Sequence, residues 1–239
     1  MDNIVYNESW ESGLKRFPDK YFDRAFCDIP YGIDVGNMPY LKEKNTSVKQ
    51  KNGARLNACK NKRIYTHKEW DKKTPPQSYF DELRRVSKEQ IIFGVEYVDW
   101  DGLGPGRIKW NKGVADGMSF KKYEIAYCSL IDYEIELPLL WNGMRQAKSL
   151  REPMTQQGNK KLNEKRIHPC HKPQLLYKKL IADYGFIGMK LLDTHVGGGS
   201  IRIEADLAGC EFIGFEIDKE YWQLQEDRFR EFKRQLRLY

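Results

Sequence analysis

Four consecutive residues, Asp28-Ile29-Pro30-Tyr31, bring a carboxylate, a backbone carbonyl and an aromatic ring to one point near the N-terminus. Pro30 fixes its own φ and restrains Ile29 to an extended conformation, so the Asp28 carboxylate and the Ile29 carbonyl keep a set spacing. Two acceptors held in this way can each take one hydrogen of an exocyclic amine. Tyr31 adds a stacking face for a base turned out of its helix. The chemistry such a set suits is the capture of a planar nucleobase by its amino group.

A second set lies towards the C-terminus, where Asp193-Thr194-His195-Val196-Gly197-Gly198-Gly199-Ser200 runs from an apolar strand pattern into a helical one. Glycines at a strand-to-helix turn let the backbone approach a ligand closely, and the helix N-terminus favours negative charge. Glu216 follows Gly199 by seventeen positions, near the spacing at which dinucleotide folds place an acid on ribose hydroxyls. There is no Walker lysine and no Gly-x-Gly-x-x-Gly here, so ATP and NAD are poorer fits. His168-Pro169-Cys170-His171-Lys172-Pro173 opens another helix, whose N-terminus together with Lys172 forms an anion site. The two histidines lack a second ligand cluster, and we expect no metal.

The elements that must position these sets follow from hydrophobic periodicity. Strands are expected at 4–6, 24–28, 91–94, 106–110, 123–128, 189–193 and 211–215. Helices are expected at 10–17, around Tyr79, Phe80, Leu83 and Val86, from Pro173 to Tyr184, from the glycine run to Ala208, and at 219–238. Between them, residues 42–73 carry eleven Lys/Arg against three acids, a run suited to phosphate contact. A second polar stretch, 132–166, carries seven Lys/Arg and little apolar periodicity.

The chain of 239 residues has a net charge of +7, which suits a polyanionic partner. Its five cysteines stand singly, with no Cys-x-x-Cys pair, as expected of reduced thiols in a cytosol. No apolar run approaches a membrane span, and Met1-Asp2-Asn3 does not begin a signal peptide. A cytoplasmic protein with no membrane contact is the expectation.

Asp28-Ile29-Pro30-Tyr31 resembles the Asp-Pro-Pro-Tyr motif of the DNA amino-methyltransferases, which act on adenine N6 or cytosine N4. The resemblance extends to Trp110-Asn111-Lys112 beside that family's Trp-Asp-Lys, and to Tyr123-Glu124-Ile125-Ala126 beside its Glu-Leu-Ala. It continues in His168-Pro169-Cys170-His171-Lys172-Pro173 beside His-Pro-x-x-Lys-Pro, and in Asp193-Thr194-His195-Val196-Gly197-Gly198-Gly199 beside Asp-Pro-Phe-x-Gly-Ser-Gly. Here Ile29 replaces a proline, His195 a phenylalanine and Gly198 a serine. The catalytic motif precedes the cofactor motif, which resembles the permuted, or beta, arrangement.

The resemblance implies an α/β Rossmann-like fold of the class I S-adenosylmethionine-dependent methyltransferases, circularly permuted, with a mixed seven-stranded sheet. It implies one domain over 1–239, with basic DNA-contacting insertions at about 39–75 and 132–167, the second in the place of the target-recognition segment. Asp28, Ile29, Pro30 and Tyr31 would be catalytic. The cofactor, S-adenosylmethionine, would be held by Glu8, His168, Lys172, Asp193, Thr194, His195, Gly197, Gly199, Ser200, Glu216 and Asp218. Glu8 reads equally as a helix-start acid that complements the dipole. The implied activity is methyl transfer to adenine N6 in DNA by a bacterial or phage enzyme of a restriction-modification type. Cytosine N4, RNA or a glutamine side chain as the acceptor, and a non-catalytic DNA-binding protein, are the alternatives. Relatives of this arrangement often form homodimers, and no surface in the sequence decides that point.

Overall fold

In a computed structural model of the chain, residues 2–35, 48–49, 55–56, 68–116 and 121–236 are described. Most of the basic run expected to contact DNA, 36–47, 50–54 and 57–67, lies outside the described residues.

Twelve strands and five α-helices are seen among the described residues. In order they are β1 (Asn3–Tyr6), α1 (Trp10–Gly13), β2 (Phe22–Asp28), β3 (Val48–Lys49), β4 (Arg55–Leu56), α2 (Gln77–Val86), β5 (Ser87–Phe93), β6 (Arg107–Asn111) and β7 (Tyr123–Cys128). There follow β8 (Glu134–Pro138), β9 (Trp141–Asn142), β10 (Arg145–Gln146), α3 (Gln174–Tyr184), β11 (Lys190–Asp193), α4 (Ser200–Leu207), β12 (Glu211–Phe215) and α5 (Lys219–Leu236). The helix expected over 10–17 is a single turn that continues as a 3-10 turn at Leu14–Arg16.

Eight strands form one mixed sheet in the order β1-β12-β11-β2-β5-β7-β6-β8. The five strands β1, β12, β11, β2 and β5 are mutually parallel; β7 is antiparallel to both β5 and β6, and β8 lies parallel to β6. The sheet therefore has eight strands where seven were expected. The extra one, β8, comes from 132–166, and Leu137, Leu139, Leu140 and Trp141 are buried there. These apolar residues cluster at one end of a polar stretch, too few to register as a period.

Both sheet faces are covered, because strand residues alternate sides. Leu191, Ile91 and Phe93 face a layer containing Leu176, Leu180 and Ile181 of α3 and Ile201 and Ala205 of α4. Leu192 and Ile92 face Tyr79, Phe80, Leu83 and Val86 of α2. The apolar residues Ile91–Phe93 of β5 and Leu191–Leu192 of β11 are short consecutive runs, as a strand buried on both faces requires there.

Candidate active site

The sheet changes winding direction between β11 and β2: β11 is followed on one side by β12, and β2 on the other by β5. A crevice forms outside the strand ends at such a switch point. Here it is a cleft of about 290 Å³ with Asp28–Tyr31 on one wall and Thr194–Gly198 on the other. Two motifs more than 160 residues apart thus meet because their strands are neighbours.

On the first wall, β2 ends at Asp28 and the turn places Tyr31 with its ring stacked on Tyr97, centroids 4.7 Å apart and 13° between planes. The Tyr31 hydroxyl donates to Asp28 Oδ1 at 2.8 Å. Lys172 reaches the same oxygen from the segment before α3 and pairs with Asp28, while its Nζ also lies 3.2 Å from Glu124 Oε2 and donates to the Tyr31 hydroxyl at 2.9 Å. Glu124, in β7, is held in turn by Lys112 at 2.8 Å. The result is an alternating chain Asp28, Lys172, Glu124, Lys112. Burial pulls the Lys172 ammonium down, but the two carboxylates outweigh it and hold its pKa above the usual lysine value. Burial also drives Glu124 upward, yet Lys172 and Lys112 bring it down to about 2. For Asp28 burial prevails over Lys172, and its carboxyl sits above the ordinary range.

Lys172 was expected at an anion site on the other wall. Instead its ammonium is committed to Asp28 and Glu124, because these two buried carboxylates are the stronger attractor.

The turn itself is held by a residue the sequence does not single out. Asp71 is 3% exposed; its Oδ1 accepts the backbone N–H of Tyr31 at 2.7 Å and of Gly32 at 3.0 Å, and its Oδ2 that of Val35 at 2.9 Å. Burial pushes the Asp71 carboxyl up against the pull of these three donors.

On the second wall, Gly197 and Gly199 both have positive φ, +51° and +69°, the region glycine enters without a Cβ penalty. Gly199 precedes Ser200, the first residue of α4. Glu216, at the end of β12, accepts the Gly197 N–H at 2.8 Å and the Asp218 N–H at 2.8 Å, and burial pushes its carboxyl up to about 7 despite them. His195 packs 5.5 Å from the Tyr79 ring, Thr194 Oγ1 lies 2.9 Å from its Nδ1, and burial lowers it to about 3. It is a flat neutral ring at physiological pH. His168 lies between Trp70 and Tyr221, at 4.8 Å and 4.4 Å between centroids, and burial likewise brings it to about 3.

Gly198 has a local explanation. A Cβ there would lie 2.1 Å from His171 Nδ1, so this chain fits a histidine ring where a side chain at 198 would point. The second histidine of the 168–173 run is thus a packing partner of the glycine turn. His171 and Ser200 converge with Arg228 on Glu164: His171 Nε2 lies 2.9 Å from Oε1, and Ser200 donates to that oxygen at 3.0 Å and Arg228 at 2.6 Å. The backbone N–H of Gln174 donates to Glu164 Oε2 at 3.0 Å. Glu164 therefore fastens the end of the 132–166 stretch to the starts of α3 and α4.

Of the expected site residues, Glu8, Asp28, Ile29, Pro30, Tyr31, His168, Lys172, Thr194, His195, Gly197, Ser200 and Glu216 line the cleft. Three do not. Asp193 is 1% exposed and accepts the His195 N–H at 2.9 Å, shaping the turn from behind. Gly199 faces Gln225 of α5. Asp218 accepts the N–H groups of Glu220 and Tyr221 and pairs with Lys68, which makes it the start of α5. Glu8 lines the rim, with its carboxylate held by Arg16. Among the described residues no group of three His, Cys, Asp or Glu side chains could hold a metal.

The second wall fits a nucleoside carrying a flexible polar tail. Gly197 leaves only 3.3 Å between a would-be Cβ and the His168 ring, so the backbone itself forms the floor. Glu216 lines the cleft beside that floor and supplies acceptor oxygens there. Ile217, 60% exposed at the rim, offers an apolar face for a planar base.

Comparison with known proteins gives a consistent answer. The N6/N4 methyltransferase family model, described as DNA methylase, matches residues 37–227, some four fifths of the chain. The match begins after Tyr31, so the Asp28–Tyr31 turn stands on its own geometry. The type II methyltransferase M2.DpnII of Streptococcus pneumoniae is 34% identical over 61 residues, which are 26% of this chain and 23% of that protein. The chain thus matches less than a quarter of that relative's length. The crystal structure of the M1.HpyAVI–SAM complex aligns over 94% of this chain and 98% of its own at 17% identity, with a TM-score of 0.51. The cytosine-N4-specific PvuII DNA methyltransferase aligns over 96% of this chain and 86% of its own at 12% identity, with a TM-score of 0.54. At these identities the two structures show a shared fold. No described helix is long and apolar enough to cross a membrane.

Proposed function

Because the chain belongs to the DNA methylase family of N6 and N4 methyltransferases, we propose that it transfers a methyl group from S-adenosylmethionine to an exocyclic amine in DNA, with adenine N6 as the acceptor. The observation that carries this reading is the meeting of Asp28 with the Thr194–Gly198 turn across one cleft. Adenine is favoured over cytosine because the resembled cytosine-amine enzymes more often carry serine at the position of Asp28. The reading treats the chain as one catalytic domain and DNA as its partner.

S-adenosylmethionine supplies an electrophilic methyl group on sulfur. Glu216 and the Gly197–Gly198 backbone would hold its nucleoside part, with His168 and the neutral His195 as flat walls. The chain's own chemistry acts on the amine. Asp28 and the Ile29 carbonyl accept its two hydrogens, which draws the nitrogen towards tetrahedral geometry and frees its lone pair for attack. Tyr31 bounds the base site, and its position is fixed by Tyr97 and Asp71. After transfer the nitrogen carries one proton too many. Asp28 Oδ is the acceptor at hand, and burial has already raised its proton affinity. Alignment of amine and methyl donor supplies much of the acceleration, on a scale of about 7–11 kcal/mol for well-oriented intramolecular reactions.

The test is mass spectrometry of nucleosides from methylation-deficient cells expressing this chain or its Asp28→Ala variant, with folding checked by thermal unfolding. N6-methyladenine only with the unmutated chain is the expected result. N4-methylcytosine would keep the mechanism and overturn the choice of base. No methylated base from a folded protein that binds S-adenosylmethionine would overturn DNA as the substrate.

A further inference from the structure

The Asp28 carboxylate has two oxygens, and the structure treats them differently. Both donors that meet it, the Tyr31 hydroxyl and the Lys172 ammonium, meet Oδ1. Each of those donors also has a second acceptor in Glu124 Oε2, at 3.3 Å from the Tyr31 hydroxyl and 3.2 Å from Lys172 Nζ. We propose that Glu124, acting through Lys172 and the Tyr31 hydroxyl, is a positioning residue that pins Asp28 by Oδ1 and so presents Oδ2 to the target amine. This inference rests on the reading of Asp28 as an amine acceptor given above.

Several features make Glu124 a fixed point. It sits in β7, a strand paired on both sides, to β5 and to β6. Lys112, the residue after β6, holds its other oxygen, Oε1, at 2.8 Å. Lys172 is 4% exposed and rests over the Phe93 ring at 4.9 Å, so the ammonium has little room to move except along the line between the two carboxylates. Tyr31 is equally confined. Tyr97 covers one ring face, with Lys121 a further 4.0 Å over Tyr97, and a side chain at Gly94 would strike the Tyr31 ring at 2.3 Å.

Without Glu124, Lys172 has one carboxylate left to satisfy its three N–H donors. An ammonium is a point charge with rotatable donors, so once a single carboxylate is left it is free to sit between both oxygens instead of holding one. Oδ2 would then be turned from the cleft towards Lys172. Glu124 divides the ammonium between two acids and leaves Asp28 half free. Its contribution is geometric and depends on its negative charge, since a neutral amide at the same position competes weakly for an ammonium.

The variants that test this are Glu124→Gln, which keeps the shape and removes the charge, and Glu124→Asp, which restores the charge on a shorter stem. Two readouts are needed. In methyl transfer to unmethylated DNA, Glu124→Gln should lower kcat tenfold or more while KM for DNA and the calorimetric Kd for S-adenosylmethionine stay within twofold, and Glu124→Asp should recover most of the loss. The second readout needs no turnover. With the cofactor site saturated by S-adenosylhomocysteine, nucleoside binding is followed by NMR for adenosine or cytidine and for the counterpart lacking the amine. The wild-type chain should prefer the amine-bearing nucleoside, Glu124→Gln should lose that preference, and Glu124→Asp should regain it. A preference that survives in Glu124→Gln, or a parallel loss of cofactor affinity, overturns the inference. If the wild-type chain itself shows no preference for the amine, the reading of Asp28 as its acceptor fails, and the inference falls with it.

Discussion

Replacing Lys172 by methionine isolates the charge that ties the Asp28 carboxylate to the rest of the site. The apolar stem is kept and the ammonium removed. Glu124 retains Lys112 at 2.8 Å, whereas Asp28 is left with the Tyr31 hydroxyl alone at 2.8 Å. The side chains of Lys172 and Asp28 are 4% and 13% exposed, so the loss falls on a buried charge. Removing one partner of such a pair costs about 3–5 kcal/mol. At roughly 2 °C per kcal/mol for a chain of this length, the Tm should fall roughly 6–10 °C under alkaline conditions.

The pH dependence gives the sharper signature. Burial raises the proton affinity of Asp28 and Lys172 opposes it; Glu124 adds to the rise, and the nearby Tyr31 and Cys170 are kept neutral by burial. Without Lys172, Asp28 keeps its proton to higher pH. The native state then binds more protons than the unfolded chain, so stability is lost as pH rises through the folded pKa and regained below it. The Tm deficit should therefore shrink on acidification, while methyl transfer, which needs an ionised acceptor, should fall. Thermal unfolding and initial rates measured from about pH 9 down to about pH 6 would show the two curves diverging. Curves that move together, or a Tm within a degree of wild type throughout, would refute the argument.

Other residues give independent checks. Glu216 is held near 7 by burial and should serve the ribose only when ionised, so the calorimetric Kd for S-adenosylmethionine should weaken as pH falls below neutrality, up to about tenfold per unit. A Glu216→Gln variant should bind more weakly and lose that slope. Gly198→Ala should cost about 1–3 kcal/mol in chemical denaturation through collision with His171, and a His171→Ala background should return most of it. Asp71→Ala strips three backbone N–H groups of their acceptor; stability should fall by about 2–3 kcal/mol, and kcat should fall further than the cofactor Kd changes.

The parts of this site legible in the sequence are those set by local chain geometry. The Asp28–Tyr31 turn, the glycine run and the strands before each declare themselves through proline, glycine and apolar runs, and the spacing to Glu216 follows from one strand-helix-strand unit. Asp71 is invisible in that language. A carboxylate that accepts three backbone N–H groups 36 to 40 positions away leaves no periodicity, and it stands at the tail of a basic run that draws attention to its lysines. Glu124 was readable as a strand residue and Lys112 as the residue just past one, but their meeting with Lys172 depends on β7 lying between β5 and β6, which sequence order does not state. Lys172 reads in sequence as part of an anion site because it stands before a helix start, while its neighbours in space include two acids. Gly198 and His171 explain each other only once the turn and the helix start are seen together. The strand β8 was missed for a simpler reason: five residues with one fully apolar face are too short a signal.

The pairing of β2 with β11 also fixes when this protein can begin to work during its synthesis. The strand that lies beside Asp28, with the turn that faces it, is made more than 160 residues after it. At roughly 5–20 residues per second the catalytic half waits on the order of ten seconds or more for its counterpart. Through that interval β2 can pair with β5 but has its other edge open, and no nascent chain arrested before β11 carries a complete cleft. Only chains translated past Ser200 therefore hold both walls of the cleft.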